Sequence, residues 1–493
     1  MVREIAGRPC VGIAGFLLAI AIATPALAAD GPAPIALPPP IPDVTLSTRA
    51  PTQQTDGEAL DLAACLTRAL QKSPLLDAAR AGTDAFKAKL DQAESFQWPH
   101  IRVDAFASPM PGRRGTVLSG YTDWDQWGAF LYTEINGYVP LYGFGKIRHL
   151  KKAARLGVQV GRAQEQIARA EVRFRVLKAY FGLMFARELQ SVMDEGHGYF
   201  EKARRHMAKM KESDDPSFDP VDEMKIRVFD AQFQSRDLES RRLLALALAN
   251  LRYAMGEDPQ SGPDVATGEA STIQPLRSVT LVEAIEAAIA GRPELVALRT
   301  GVAARSSEVD ARYWHMYPDF VVAGRFTAAY CNVADKPSSP FANNPYNGWS
   351  GGAGLGLRWD LDLARKLGEW REAKAVRNKL MADMDEADHG VRLEVEKLFR
   401  EMTDAHLMVG AQQDALKAAR GWVVSKLDLY ENDLATLRDV MDGLLPFFQS
   451  RLDLLKAMHD YDVSVAALER SAGLLLVPVN GTLQDGQAPS SRE

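Results

Sequence analysis

The stretch LAACLTRALQKSPLLDAARAGTDAFKAKLDQAESFQWPHIRVDAFA (Leu62–Ala107) decides the fold, because it occurs twice. Moved forward by 219 positions it lands without a gap on Leu281–Phe326. Leu62 falls on Leu281, Ala69 on Ala288, Pro74 on Pro293, Asp91 on Asp310, Pro99 on Pro318 and Val103 on Val322. Identity is thin, yet the register holds from helix through proline to strand. A period this long is no solenoid repeat and describes one large half built twice.

Inside the stretch, Asp61 or a neighbour opens a helix with Leu62, Leu66, Ala69 and Leu70 on one face, and Ser73-Pro74 interrupts it. A second helix runs to the residues before Trp98-Pro99. Alternation then takes over. Ile101, Val103, Ala105 and Ala107 form one set, and after an expected loop at Pro109–Gly112 the next set starts at Trp127. There Trp127, Ala129, Leu131, Ile135, Val139 and Leu141 face one way, with Glu134 and Asn136 opposite. The second half repeats this. Phe320, Val322 and Phe326 alternate with Arg325, and Trp349, Ala353, Leu355, Leu357, Trp359 and Leu361 alternate with Ser350, three glycines, Arg358 and Asp360.

Proline-free stretches follow each strand pair, Ile147 to about Lys211 and Leu367 to Leu445. Sixty residues of helix make a rod of roughly 90 Å, which suits coiled-coil packing and not a small globule. Apolar residues recur at Ile167, Val172, Val176, Tyr180 and Leu183, and at Val391, Val395, Leu398, Met402 and Leu407. Return helices are expected over Val221–Met255 and Pro446–Leu475. The chain divides as a signal peptide (1–28), a proline-rich extended leader (29–59), a first repeat (60–260), a linker (261–280), a second repeat (281–476) and a disordered tail (477–493).

With 493 residues, 46% hydrophobic and 25% charged, the chain has the composition of a folded protein. A net charge of −6 offers no basic stripe for nucleic acid. Cys65 and Cys331 remain after signal cleavage, one on a helix and one at a strand end, so no bond between them is expected. No histidine pair or CxxC marks a metal site, so no metal, cofactor or catalysis is expected. Gly348-Trp349-Ser350-Gly351-Gly352 spells a nucleophile elbow, but that motif needs a strand-to-helix turn and a strand follows here.

Four strands cannot close a barrel alone. Either several chains share one, apolar face to lipid and polar face to a wet lumen, or the sheet packs on the chain's own helices in water. In the first case Glu134, Asn136, Arg325 and Arg358 line the lumen, and Trp127, Trp349 and Trp359 face lipid.

VPLYGFGK (Val139–Lys146), WDLDLARK (Trp359–Lys366) and YENDLATLRDVMD (Tyr430–Asp442), in this order around the duplicated halves, resemble the TolC-like outer membrane efflux proteins. The resemblance covers nearly the whole chain from Leu60 to Leu475. It implies a mainly α chain with transmembrane β, whose four strands join those of two further copies in a homotrimeric outer-membrane barrel of about twelve. A long periplasmic α-helical coiled-coil barrel continues it. The implied function is a passive exit duct of a tripartite efflux or type I secretion system. Its partners are outer-membrane lipid, a periplasmic adaptor and an inner-membrane pump of RND, ABC or MFS type. A soluble periplasmic coiled-coil adaptor or scaffold is the competing reading.

By the same resemblance, Asp439 and Asp442 correspond to the acidic ring at the periplasmic entrance. The alternative is a solvated helix face. Asp219 and Asp222 match them at an offset of 220 in the first half. Tyr430 matches a tyrosine that latches the closed entrance. The latching arginine falls on Ala435, leaving Arg438 as the candidate replacement, and Asp433 stands at the family's tip glycine.

Overall fold

The computed structural model describes residues 60–115, 119–213, 218–262, 280–337, 344–432 and 434–473. The expected signal peptide, leader and tail, most of the linker, and Asp433 lie outside the described residues.

The duplication is visible in element boundaries. Helices α1 (Leu62–Lys72) and α2 (Pro74–Ser95) reappear 219 positions later as α5 (Leu281–Gly291) and α6 (Pro293–Trp314). Asp61 caps α1 by accepting the Ala64 N–H at 2.7 Å, and Thr280 caps α5 through a capping box with Glu283. Pro74 and Pro293 open α2 and α6, where a missing N–H costs nothing.

The long helices are α3 (Lys146–Glu212) and α7 (Leu363–Glu431), each returned by a shorter partner, α4 (Pro220–Ala254) and α8 (Leu437–Ser471). At 67 residues α3 is about 100 Å long. Short helix α1 seals the junction of α3 and α4: Cys65 and Ala69 bury against Val172, Val176, Ala179 and Leu183, and against Leu251 and Met255. The second half copies this, with Ala284 and Ala288 against Val391, Val395 and Met402 of α7 and Tyr461 of α8. Val391, Val395, Leu398, Met402, Ala405 and Val409 step by four and three, the spacing of a coiled-coil seam. Val409 therefore continues the seam where Leu407 was expected; Leu407 is 66% exposed. A third cluster joins all four long helices: Phe200, Phe233, Val423, Met441 and Phe448 lie together.

The turn between α7 and α8 falls at 432–436, about ten residues before the expected Pro446. Lack of proline does not make a helix continuous. Asn432 ends α7, and the Thr436–Asp439 capping box starts α8. Pro446 is carried inside α8, leaving the Asp442 carbonyl without its usual N–H partner.

Strands β1 (His100–Gly115), β2 (Gly120–Tyr142), β3 (Asp319–Cys331) and β4 (Gly348–Arg358) form one antiparallel sheet in chain order. Three boundaries differ from expectation. Pro109, Pro111 and Gly112 belong to β1, because an edge strand needs no ladder N–H on its open side. Strand β2 starts at Gly120: Pro111 faces Trp127 but Gly112 faces Asp123, so Trp124–Gln126 are a bulge. Trp359 and Leu361, expected in the fourth strand, lie beyond it, and the Trp359 indole N–H donates to the Met316 carbonyl at 3.0 Å. Cys65 and Cys331 are both buried free thiols. Among the described residues no helix is long and apolar enough to cross a membrane.

Candidate functional site

Register defines the two faces of the sheet. Asp104 pairs with Glu134, Glu134 with Thr327, and Thr327 with Ser350, a polar row across all four strands. The adjoining row runs Arg102, Asn136, Arg325, Gly352. All four residues expected to share a polar face do so. Glu134 is the hub. It accepts from Asn136 and Tyr132, each at 2.7 Å, and pairs with Arg325 at 3.0 Å. The Arg358 guanidinium lies 3.7 Å from the Tyr138 ring centre.

The opposite face carries Ile101, Val103, Leu131, Phe326, Trp349, Leu355 and Leu357, all exposed. Trp349 is 78% exposed and Leu355 83%, and Trp127 and Trp359 are exposed as well. A water-soluble sheet would cover such a face with its own helices, and among the described residues no helix does so for these side chains. Ser350 sits within β4, its hydroxyl 2.8 Å from that of Thr327; no strand-to-helix elbow exists there.

At the other end, the starts of α4 and α8 meet. Asp219 is the N-cap of α4 and accepts the Val221 N–H at 2.8 Å; Asp222 lies in the first turn. Helix starts align α4 with α8 at an offset of 217, not 220, so Asp219 corresponds to Thr436 and Asp222 to Asp439. A small depression is lined by Asp222, Lys225, Phe229, Arg438, Met441 and Asp442. Asp222 and Asp442 thus border the same depression.

Asp439 has another engagement. Its carboxylate accepts the Thr436 N–H at 2.9 Å and hydroxyl at 2.8 Å, with Lys426 at 3.6 Å. The Thr436 N–H, then its hydroxyl, then Lys426 hold that carboxyl below the usual aspartate range. The two aspartates, three apart on one helix, therefore sit in different settings.

Tyr430 bonds across to His206 of α3 at 2.8 Å, and Arg438 forms no ion pair among the described residues. His206 and Lys426 were not legible as tip residues in the sequence. They reach the tip only because α3 and α7 end side by side, and 224 positions separate His206 from Tyr430. Among the described residues no cluster of His, Cys, Asp and Glu could hold a metal ion.

Duplicated helix–strand–strand–helix halves, an amphipathic sheet with open edges and coiled-coil rods make up a fold of the TolC-like kind. Residues 284–474 match the family described as outer membrane efflux protein, and the comparisons support the resemblance to TolC-like outer membrane factors. The alkaline protease secretion protein AprF of Pseudomonas aeruginosa is 22% identical over 367 residues, 72% of each chain. The outer membrane channel CmeC of Campylobacter jejuni superposes with a TM-score of 0.69 at 12% identity, covering 86% of this chain and 90% of its own. The outer membrane protein VceC of Vibrio cholerae gives 0.67 at 16%, covering 84% and 96%. The family is one of outer-membrane channels, not of enzymes.

Proposed function

We propose that this chain is the outer-membrane exit duct of a tripartite efflux or type I secretion system, formed by three copies. The observation that carries the proposal is the sheet: four strands, one apolar face exposed, and edges at β4 and at β1, whose backbone is bridged, among the described residues, only at Arg113, to the backbone of Val333 and Asp335. In hydrocarbon an open edge leaves backbone groups unpaired, so β4 of one copy would pair with β1 of the next until the ring closes. Three copies give about twelve strands, within the range of outer-membrane barrels.

Glu134, Asn136, Arg325 and Arg358 would then face the lumen, and Trp127, Trp349 and Trp359 the lipid and its boundary. The helices would continue the duct to a tip that docks a periplasmic adaptor and, through it, an inner-membrane pump of RND, ABC or MFS type. Similarity to AprF brings protein secretion into the reading beside small-molecule efflux.

At the tip, Asp442 would carry the acidic ring, with Asp222 and Asp439 contributing to the same negative zone, Tyr430–His206 as the latch and Arg438 bordering Asp442. The test of the duct is the mass of detergent-extracted protein from the outer-membrane fraction, with and without boiling. A heat-sensitive trimer is expected; a soluble monomer or dimer in the periplasmic fraction would refute the duct and restore the scaffold reading. For the ring, Asp439→Ala with Asp442→Ala should lower cation selectivity in single-channel recordings. Unchanged selectivity would remove the assignment.

A further inference from the structure

The polar face of the sheet holds a hollow of about 1090 Å³, bordered by His100 and Arg102 of β1, Asn136 and Tyr138 of β2, Arg325 of β3 and Arg358 at the end of β4. Its β4 wall is Gly352 and Gly354, and nothing lies within 4 Å of where a Cβ would stand at either. Among the described residues three arginines and a histidine line this hollow, and no carboxylate does. The acids of the face nearest to it are Asp104 and Glu134, opposite each other in the next cross-strand row, and Asp319, in register with Arg358.

The arginines differ in how far they are compensated. Arg325 is paired with Glu134 at 3.0 Å. Arg358 rests on the Tyr138 ring, which leaves its charge in place and fixes its direction. Asp319, in register with Arg358, is taken by the Lys146 ammonium. Arg102 is in register with Asn136 and forms no ion pair among the described residues. Arg102 and Arg325 are two strands apart, about 10 Å between backbones, with the Asn136 amide between them. The Asn136 amide already donates to Glu134 at 2.7 Å, so Arg102 and Arg358 are the charged donors left for an acceptor-only group with several oxygens.

We infer that this hollow binds an anionic solute bearing a phosphate, carboxylate or sulfate, held by Arg102 and Arg358. That the solute is one in transit rests on the duct reading. The glycines of β4 are the structural counterpart of the arginines. They keep the far wall free of side chains, so an ion at the arginine row meets open space and not a methyl group. With a negatively charged tip at the entrance, the path would present one sign of charge and then the other, so cations are drawn at the tip and anions are retained in the barrel.

The experiment uses inorganic diphosphate as probe and the whole protein extracted in detergent, with two readouts. Calorimetric titration measures binding without needing an open tip, and planar-bilayer recording measures current and its block by diphosphate. Each uncompensated charge at about 4 Å in water favours an anion about fivefold, so R102Q with R358Q should weaken binding more than tenfold. Block should weaken in parallel. T327V, which alters the neighbouring polar row without changing charge, should retain both. No heat of binding to wild type at millimolar diphosphate, or equal binding by wild type and R102Q/R358Q, overturns the inference whatever the bilayer gives. Binding lost on R102Q/R358Q while no current is seen in any protein supports the hollow and sinks the duct reading instead.

Discussion

Replacing Thr436 by alanine isolates what holds the tip together. Thr436 is the N-cap of α8, and its hydroxyl both donates to the Asp439 carboxylate at 2.8 Å and accepts the Asp439 N–H at 3.4 Å. Alanine removes both bonds and leaves the Asp439 N–H with only the Thr436 carbonyl, at 3.0 Å. Threonine-to-alanine changes at N-caps cost about 1 kcal/mol, which is about a fivefold rise in the population of the frayed first turn. The effect should be local, since the helix beyond is held by Val440, Met441, Leu444 and Phe448 in the shared core. Hydrogen exchange read by mass spectrometry should show peptides spanning residues 437–441 exchanging about fivefold faster, with peptides around Val395 unchanged. Thr436→Ser should restore the slow rate, because serine keeps the hydroxyl. Unchanged exchange at the start of α8, or an equal acceleration across α7, would refute the reasoning that this cap is a local fastening.

Three further outcomes follow from named contacts. Leu183→Ala empties a fully buried position against α1 and α4 and should cost about 2–5 kcal/mol, read as earlier thermal loss of helical circular dichroism; Leu407→Ala, on an exposed site, should cost far less. Gly256 has φ +76, and a Cβ there would lie 2.6 Å from the Lys72 carbonyl oxygen, so Gly256→Ala should cost at least about 1–2 kcal/mol and increase protease cleavage between α1 and α2. Glu257 accepts from Lys72 at 2.8 Å and Arg68 at 2.6 Å, and these bonds, Lys72 first, hold its carboxyl below the usual glutamate range. A carboxyl depressed on folding stabilises above its unfolded pKa of about 4.3 and loses that contribution as pH falls through its folded value. Melting of wild type should therefore drop more between pH 7 and pH 4 than melting of Glu257→Gln; equal drops would count against the clamp.

The duplicated stretch settled more than its low identity suggests. Helix caps, the proline at the start of α2 and α6, and the switch to alternation are local matters. A residue's backbone preference and the polarity of its neighbours two to four positions away decide them, so α1, α2, α5 and α6 emerged with nearly their true ends. The two faces of the sheet were legible for the same reason: Glu134 and Asn136 stand opposite Ile135 whatever the strand pairs with. Boundaries failed where a distant partner decides. Pro109 and Pro111 read as loop because a proline breaks an interior ladder, yet β1 is an edge, which is a property of sheet order. The turn at 432–436 was marked only by the resemblance, through Asp433; periodicity carried the rod on to Pro446, because Thr436 with Asp439 resembles the middle of an ordinary polar helix.

The repeat, the rods, the amphipathic strands and, through the order of the motifs, the resemblance to TolC-like proteins were thus legible from the chain alone. Only the tertiary structure decided which charges meet. It set Asp439 on its own cap and Asp442 on the same depression as Asp222. It joined Tyr430 to His206, and it gathered Arg102, Arg325 and Arg358 around one hollow. Periodicity is written within a few residues of chain, but electrostatics depends on distances of a few ångströms between segments tens or hundreds of positions apart, and those distances exist only once the helices and strands have packed.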